Sequence, residues 1–339
     1  MHLEKTELPD TPLFLAPMED ITDLSFRGIC KDYGADVMIS EFIASEGLIR
    51  DCEKSFKKMK IDEAERPFGV QLYGHRIDAM VEAAKMAESQ QPDFIDLNFG
   101  CPAKKIAHRG AGAGLLQDIP LMVEMTRAVV QATNLPVTVK TRIGWDDSDI
   151  SILEVTKRLQ ETGIQAITIH GRTKAQMYKG YANWEIIGQV KNDPGVEIPV
   201  IGNGDIDSPE SAANAFQQYG VDGVMIGRAT VGKPWLFRSI RHYLDTGEIS
   251  PEPSIEEKVD IATQHLLKSL EWKGHPTGIF EMRRHLSNYF KGLPNFKPVR
   301  RKLVTSLDKK ELLDTLQFIK ETYKDFDSSQ LKSDSFFHY

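Results

Sequence analysis

Cys101 lies in Asn98-Phe99-Gly100-Cys101-Pro102, just past an aliphatic run, Phe94 to Asn98, that reads as a strand. A thiol with an ordinary pKa of about 8.5 is mostly protonated at neutral pH and can give a proton to a substrate. As a thiolate it would be a nucleophile, and would need a base or cation beside it. Burial as a small packing residue is the third reading. Lys140 and Thr138 alternate with Val137 and Val139, so the lysine points to one face of its strand. There it could form a Schiff base with a carbonyl, or stand as a fixed charge against an anionic ring or phosphate. His170, ending Thr168-Ile169-His170, is equally a donor to a cofactor oxygen or a hydrogen-bonded core histidine. Gly202-Asn203-Gly204-Asp205 and Gly227-Arg228-Ala229 pair glycines, whose backbone amides can approach a ligand closely, with a guanidinium. That is the chemistry of a phosphate site.

Other motifs carry less. Gly110-Ala111-Gly112-Ala113-Gly114 has the wrong spacing for a dinucleotide fingerprint and follows a loop rather than a strand. Gly232-Lys233-Pro234 is not a phosphate-binding Walker loop. Cys30 reads as structural and Cys52 as incidental.

These residues need elements to bring them together. Strands are expected near 13–17, 36–41, 68–72, 94–98, 136–141, 166–170, 198–202 and 223–227, at intervals of about 30 residues, the size of a βα unit. Helical periodicity fills the gaps, as with Ile77, Met80, Val81 and Ala84. Eight such units predict a closed (β/α)8 TIM barrel, in which the C-terminal strand ends face the active site. An open doubly wound sheet would put its glycine turn after the first strand, where Ala16-Pro17-Met18 stands instead. The barrel is expected over residues 1–245 and a linker over 246–254. A small helical domain over 255–326 opens with Ser254 and Glu257 at capping-box spacing, and a frayed tail is expected over 327–339.

Composition excludes several classes. The 339 residues are 41% hydrophobic and 27% charged, a globular balance, with no run of membrane-spanning length. The first ten residues have no apolar stretch like that of a signal peptide, and three sparse cysteines fit a reducing cytoplasm rather than a disulfide scaffold. No Cys and His spacing suits zinc, and no metal is expected. The net charge of −7 argues against nucleic acid on average, but the charge is segregated. Arg283 to Lys302 holds seven cations and no Asp or Glu, with Tyr289, Phe290 and Phe296 interleaved as stacking candidates. Lys104, Lys105, His108 and Arg109 add positive charge beside Cys101.

At these residues the sequence resembles the flavin-dependent tRNA-dihydrouridine synthases, most of all their bacterial B-type branch. The likeness runs through Ala16-Pro17-Met18, Thr22-Asp23, Phe26-Arg27 and Gln71-Leu72, then Asp96 to Lys105. It continues in Val139-Lys140-Thr141-Arg142, Ile169-His170-Gly171-Arg172, Asn203-Gly204-Asp205-Ile206 and Met225-Ile226-Gly227-Arg228. Glu19 departs from it, standing where many relatives carry a small or apolar residue.

The resemblance implies FMN in the barrel mouth, reduced by NADPH or NADH. It implies that Pro17, Met18 and, through its backbone, Glu19 line the flavin, and that Gln71 bonds the polar edge of the ring. Lys140 would sit where charge develops, His170 would help hold the cofactor, and Asn203, Gly204, Asp205, Gly227 and Arg228 would bind its phosphate. Hydride would pass from flavin N5 to C6 of a uracil while Cys101 protonates C5, with Asn98 touching the base. The uridine must flip out of folded tRNA, and contacts with the RNA must offset that cost. Lys104, Lys105, Arg142, Arg172, Arg283, Arg284, Arg300 and Arg301 are the expected RNA contacts. A monomer without an obligate protein partner is expected. The competing readings are a dihydroorotate-type flavin barrel acting on a free pyrimidine, a non-catalytic RNA-binding barrel, and a Schiff-base aldolase using Lys140.

Overall fold

Alternate residues of a strand face opposite ways, and in this chain both sets are largely apolar, as expected of strands covered on both sides. The computed structural model describes residues 2–3 and 6–330. Eight parallel strands form the barrel, β1 (Leu13–Leu15), β2 (Met38–Ile39), β3 (Phe68–Tyr73), β4 (Phe94–Phe99), β5 (Val137–Arg142), β6 (Ala166–His170), β7 (Val200–Asn203) and β8 (Gly223–Ile226), and a short ninth, Ile43–Ala44, pairs in parallel with the end of β3. Each pairs in parallel with its neighbour from β2 to β8, and β8 pairs with β1 through Val224 and Leu13. A parallel bridge between Phe14 and Val37 closes the ring. This is the (β/α)8 barrel that strand spacing predicts.

The main helices that follow the strands are α1 (Leu24–Asp32), α2 (Ile77–Glu88), α3 (Ile119–Ala132), α4 (Ile152–Gln160), α5 (Trp184–Lys191), α6 (Pro209–Tyr219) and, after β8, α7 (Leu236–Thr246). The β2–β3 connection carries two shorter helices, Ser45–Leu48 and Glu53–Lys58, in place of one long one. Asp23, Asp118, Asn183 and Ser208 cap their helices by accepting from backbone amides of the first turn. Outward strand residues such as Leu15, Leu97 and Val139 pack with Met80, Met122 and Val155 of the helices.

Inside the barrel, the lower layer is apolar: Phe14, Val37, Phe94, Ala166, Ile201 and Met225 form one cluster with Leu8. Gly69 makes room for it, since a Cβ there would stand 2.2 Å from the Phe94 ring. One pleat higher, Asp96 and Thr138 replace the apolar side chains, and Gln71, Asn98, Lys140, His170 and Asn203 follow at the strand ends. The period-2 alternation thus carries the change from core to site.

After α7, Ser254 and Glu257 form a capping box at the start of α8 (Ile255–Lys273). Then come α9 (Thr277–Tyr289), α10 (Lys297–Thr305) and α11 (Lys309–Thr322). Their apolar stripes meet in one core with Ile29 and Trp235 of the barrel. That core corrects one expectation: Tyr289, Phe290 and Phe296 are 2%, 0% and 6% exposed and offer no face for stacking a base. The aromatic residues these helices do expose are Phe280 and Phe318. Within the segment expected to fray, Ser328–Gln330 makes a 3-10 turn and Ser328 Oγ donates to Pro253 O at 2.7 Å. Residues 331–339 of that segment lie outside the described residues. Among the described residues no helix is long and apolar enough to cross a membrane.

Candidate active site

A line of hydrogen bonds climbs from the barrel core to Cys101. Asp96, 1% exposed, accepts from Thr138 Oγ1 and from Gln71 Nε2, each at 2.6 Å. Gln71 Oε1 in turn accepts from Asn98 Nδ2 at 2.8 Å. Asn98 Oδ1 then accepts from the backbone amides of Gly100 (3.1 Å) and Cys101 (2.9 Å). Burial pushes the Asp96 carboxyl up, against the two hydrogen bonds and the Lys140 charge. Each amide group in this line has its orientation fixed by its neighbour, so the Cys101 main chain is set by the barrel core rather than by a free loop.

Burial likewise pushes the Cys101 thiol up, more than the Ala103 amide, Arg142 and Lys140 lower it, and Glu19 adds to the rise. The thiol is therefore protonated at neutral pH, which suits a proton donor and not a thiolate nucleophile. The Gly110–Gly114 run, without a dinucleotide role, packs beneath this cysteine: Ala113 N donates to Cys101 O at 3.1 Å. Gly112 takes φ 55°, and a Cβ on it would lie 3.0 Å from Cys101 O. Arg142 Nε binds the other side of the loop through Gly100 O at 2.8 Å.

Cations gather at the ends of β5 to β8. Lys140 Nζ donates to Asn203 Oδ1 at 3.0 Å, and Asn203 Nδ2 donates to Met225 O at 2.8 Å. Burial and the Arg142 charge hold the Lys140 ammonium down to about 8, though Asp96 and Cys101 favour the charge. Burial first, then Arg142, Lys140, Arg172 and Arg228, keep His170 neutral. Arg172 Nη1 stands 3.3 Å from His170 Nε2, an arrangement in which that nitrogen accepts. Asp205 ties the group together by accepting from Arg172 Nη2 (2.7 Å), Arg228 Nη2 (3.3 Å) and Ala182 N (2.7 Å). The Arg228 guanidinium lies 4.9 Å from the centre of the Tyr178 ring. Burial is the first cause of both shifts, but the four cations around His170 and the Arg142 charge beside Lys140 add to it, and an anion placed among them would relieve that repulsion. The donor set fits a phosphate with an electron-rich ring.

The sequence-derived residues sort into groups. Asn98, Cys101, Lys140, His170 and Asn203 share the mouth, whereas Gln71, expected at the edge of the ring, is 0% exposed and lies beneath Asn98 with its amide bonded to Asp96 and Asn98. Met18 and Gly227 are neighbours, since a Cβ on Gly227 would lie 3.5 Å from Met18 Sδ. Met18 N is held by Thr22 Oγ1 at 2.8 Å, and Pro17 beside it is half-buried.

Two expectations about the cations need correction. Arg142 and Arg172 are 2% and 0% exposed, and their donors go to Gly100, Thr173, Met177, Lys179 and Gly180 carbonyls and to Asp205. They brace the mouth loops rather than face RNA, because a buried guanidinium must spend its donors internally. Arg283 is half-buried and donates to Thr305 O at 3.2 Å, joining α9 to the end of α10. The Glu19 side chain pairs with Lys58, which also lies 3.8 Å from Glu41, so the carboxylate turns to the β2 loop. Lys104, Lys105, Arg284, Arg300 and Arg301 are exposed.

Sequence reasoning passed over three residues as site members. Asp96 gave a signal, an acid between Ile95 and Leu97 in a strand otherwise apolar up to Asn98. Thr138 alternated with valines beside Lys140, but a threonine in a strand is common and carries no signal by itself. Tyr178 gave none, because its place between two arginines depends on loop conformation.

The family described as dihydrouridine synthase (Dus) matches residues 14–326. A probable tRNA-dihydrouridine synthase of Rickettsia conorii is 45% identical over 285 residues, covering 84% of this chain and 85% of its own. The tRNA-dihydrouridine synthase B of Pseudomonas aeruginosa is 40% identical over 288 residues, covering 85% and 86%. Among solved structures, histamine dehydrogenase from Rhizobium sp. 4-9 superposes with a TM-score of 0.54 at 12% identity, over 94% of this chain and 64% of that one. Morphinone reductase in complex with tetrahydroNAD gives 0.52 at 13% identity, over 75% and 92%. At such identities the structural likeness shows the fold alone. The two sequence relatives and the match along nearly the whole barrel and tail carry the assignment: the chain belongs to the dihydrouridine synthase family.

Proposed function

We propose that this protein reduces uridines in tRNA to 5,6-dihydrouridine, with FMN in the barrel mouth and NADPH or NADH as the reductant. The observation that carries the reading is the Cys101 main chain pinned by Asn98 at 2.9 Å, with its thiol in the field of Arg142 and Lys140 and pushed up by burial toward the protonated form. Family membership supplies the reaction class.

When bound, FMN supplies a hydride donor for C6 of the uracil. Cys101 gives its proton to C5, and Asn98 holds the cysteine loop and meets the base. Lys140 places a positive charge where the reacting system gathers negative charge, with Asn203 fixing its position. Pro17, Met18 and the Glu19 backbone line the ring, and Gln71, fully buried and committed to Asp96 and Asn98, supports Asn98 from below rather than meeting the ring. Asn203, Gly204, Gly227 and Arg228 take the phosphate, while the Asp205 carboxylate, expected among the phosphate ligands, would repel that anion and instead positions Arg172 and Arg228. His170 stays neutral and offers a ring N–H rather than a further charge.

In this reading residues 1–245 form the catalytic domain and 255–326 dock the RNA. Arg284, Lys291, Lys297, Arg300, Arg301 and Lys302 are the exposed cations of the 283–302 segment, and Lys104 and Lys105 extend the positive charge toward Cys101. The protein works as a cytoplasmic monomer. The test is to incubate the flavin-loaded protein with unmodified tRNA and reduced nicotinamide, then measure dihydrouridine in the digested RNA by mass spectrometry. Product that depends on all three components supports the reading, and RNA left unmodified contradicts it.

A further inference from the structure

Helix α9 touches both loops that flank the proposed cofactor. The loop after β1 runs from Ala16 to Thr22, where Met18 O accepts from Ile21 N and Thr22 N at 3.2 and 3.0 Å. The His285 ring of α9 has the Ile21 main chain as a polar neighbour, and burial holds that imidazole down to about 4, hence neutral. It is 3% exposed and wedged against Phe26 and His265, with ring centres 4.5 Å away in each case. Just beyond the loop, Asp23, which caps α1, shares Lys273 of α8 with Glu281 of α9.

The second contact is one turn further along α9. The loop after β8 folds on itself through Thr230 N and Lys233 N, which donate to Gly227 O and Thr230 O. It reaches α9 at Gly232, whose φ is 75° and whose added Cβ would lie 2.6 Å from Asn288 C and 2.8 Å from Tyr289 N. Only a residue without a side chain lets the loop seat this closely. Tyr289 OH lies 3.1 Å from His265 Nδ1, locking the last turn of α9 to α8. The two loops therefore meet each other at Met18 and Gly227 on the pocket side, and α9 backs both from outside.

We propose that α9 is the positioning element of the cofactor pocket, holding the β1 loop through His285 and the β8 loop through the Gly232 seat on Asn288. This rests on the flavin reading of Met18, Gly227 and Arg228. Arg284 is exposed and adjacent in sequence to His285, so the helix that braces the cofactor loops is also one that the RNA would meet.

The test is FMN binding to the cofactor-stripped protein, followed by quenching of FMN fluorescence at a temperature where circular dichroism shows each variant folded. Gly232→Ala and His285→Ala raise the FMN dissociation constant about tenfold or more, equivalent to at least about 1.4 kcal/mol. His285→Gln, which keeps a donor toward Ile21, recovers most of the affinity, and Gln317→Ala on the exposed face of α11 leaves it unchanged. A merely structural role would lower the melting temperature and leave FMN affinity of the folded protein alone. If Gly232→Ala does not fold, the His285→Ala and His285→Gln pair decides. Folded variants that bind FMN as tightly as the unaltered protein overturn the inference. An unaltered protein that takes up no FMN contradicts the flavin reading instead.

Discussion

Lys140 Nζ donates to Asn203 Oδ1 over 3.0 Å, so the ends of β5 and β7 are joined across β6 at the centre of the cation group. The lysine is thereby held in place, and its charge is disfavoured by burial and by Arg142.

That relationship predicts an unusual pH dependence for the cofactor-free protein. Lys140 keeps its proton to about 8 when folded and to 10.5 when unfolded. Between those values the unfolded chain binds more protons, so stability rises with pH across that window. Below it the charged lysine costs stability, and Lys140→Met should raise the melting temperature at pH 7 while abolishing tight FMN binding. Melting curves from pH 7 to 10 check the sign; a Lys140→Met protein less stable than its parent without cofactor would refute it.

Cys101→Ala should retain FMN and still oxidise reduced nicotinamide, because the thiol is assigned a proton transfer and no cofactor contact. Dihydrouridine formation should fall by roughly 10²–10⁴-fold, the usual worth of a positioned acid. Since burial raises the thiol, the unaltered enzyme should hold its rate through neutral pH and lose it only above the ordinary thiol range. Undiminished product from the variant would remove Cys101 from the chemistry.

Arg172 and Asp205 form an ion pair whose arginine is wholly buried. Replacing Arg172 with Met leaves the Asp205 carboxylate without its closest charged partner, so unfolding free energy should drop by about 3–5 kcal/mol. Denaturant titration measures this, and a drop below about 1 kcal/mol, the worth of an exposed pair, would mean that Arg228 and water suffice for Asp205.

Neutralising Arg284, Arg300 and Arg301 together should weaken tRNA binding and flatten its dependence on salt. The log–log slope should shrink by about 0.7–0.9 for each phosphate that is no longer neutralised. Arg283→Ala should act mainly through stability, because its guanidinium bonds Thr305 O. An unchanged salt slope in the triple variant would put the RNA on another face.

Much of this was legible in the sequence because a barrel strand writes its orientation in every second residue. Thr138 and Lys140 between valines, and Asp96 and Asn98 in the next strand, place their side chains inward by alternation alone. The glycines and arginine at the ends of β7 and β8 were legible as a place where donors converge, which is where Asn203, Asp205 and Arg228 stand. What alternation does not encode is which charged side chains the loops then cover. Arg142 and Arg172 read as RNA contacts at the strand ends because their partners, backbone carbonyls of the segment from Thr173 to Gly180, carry no sequence signal. The Tyr289, Phe290 and Phe296 aromatics read as a stacking surface because cations interleave with them, yet three helices close over those rings. The Gly110–Gly114 run looked like a failed fingerprint and instead packs against the Cys101 main chain.

The central claim is that reduced flavin in this barrel is oxidised by a uridine in tRNA. The direct test is to reduce the flavin-loaded protein without oxygen, mix it with unmodified tRNA or with free uridine or orotate, and follow the visible flavin band. Rapid return of the oxidised band with tRNA, and none with the free pyrimidines, is the predicted result. Reoxidation by a free pyrimidine and not by tRNA would contradict the account and make this a small-molecule reductase.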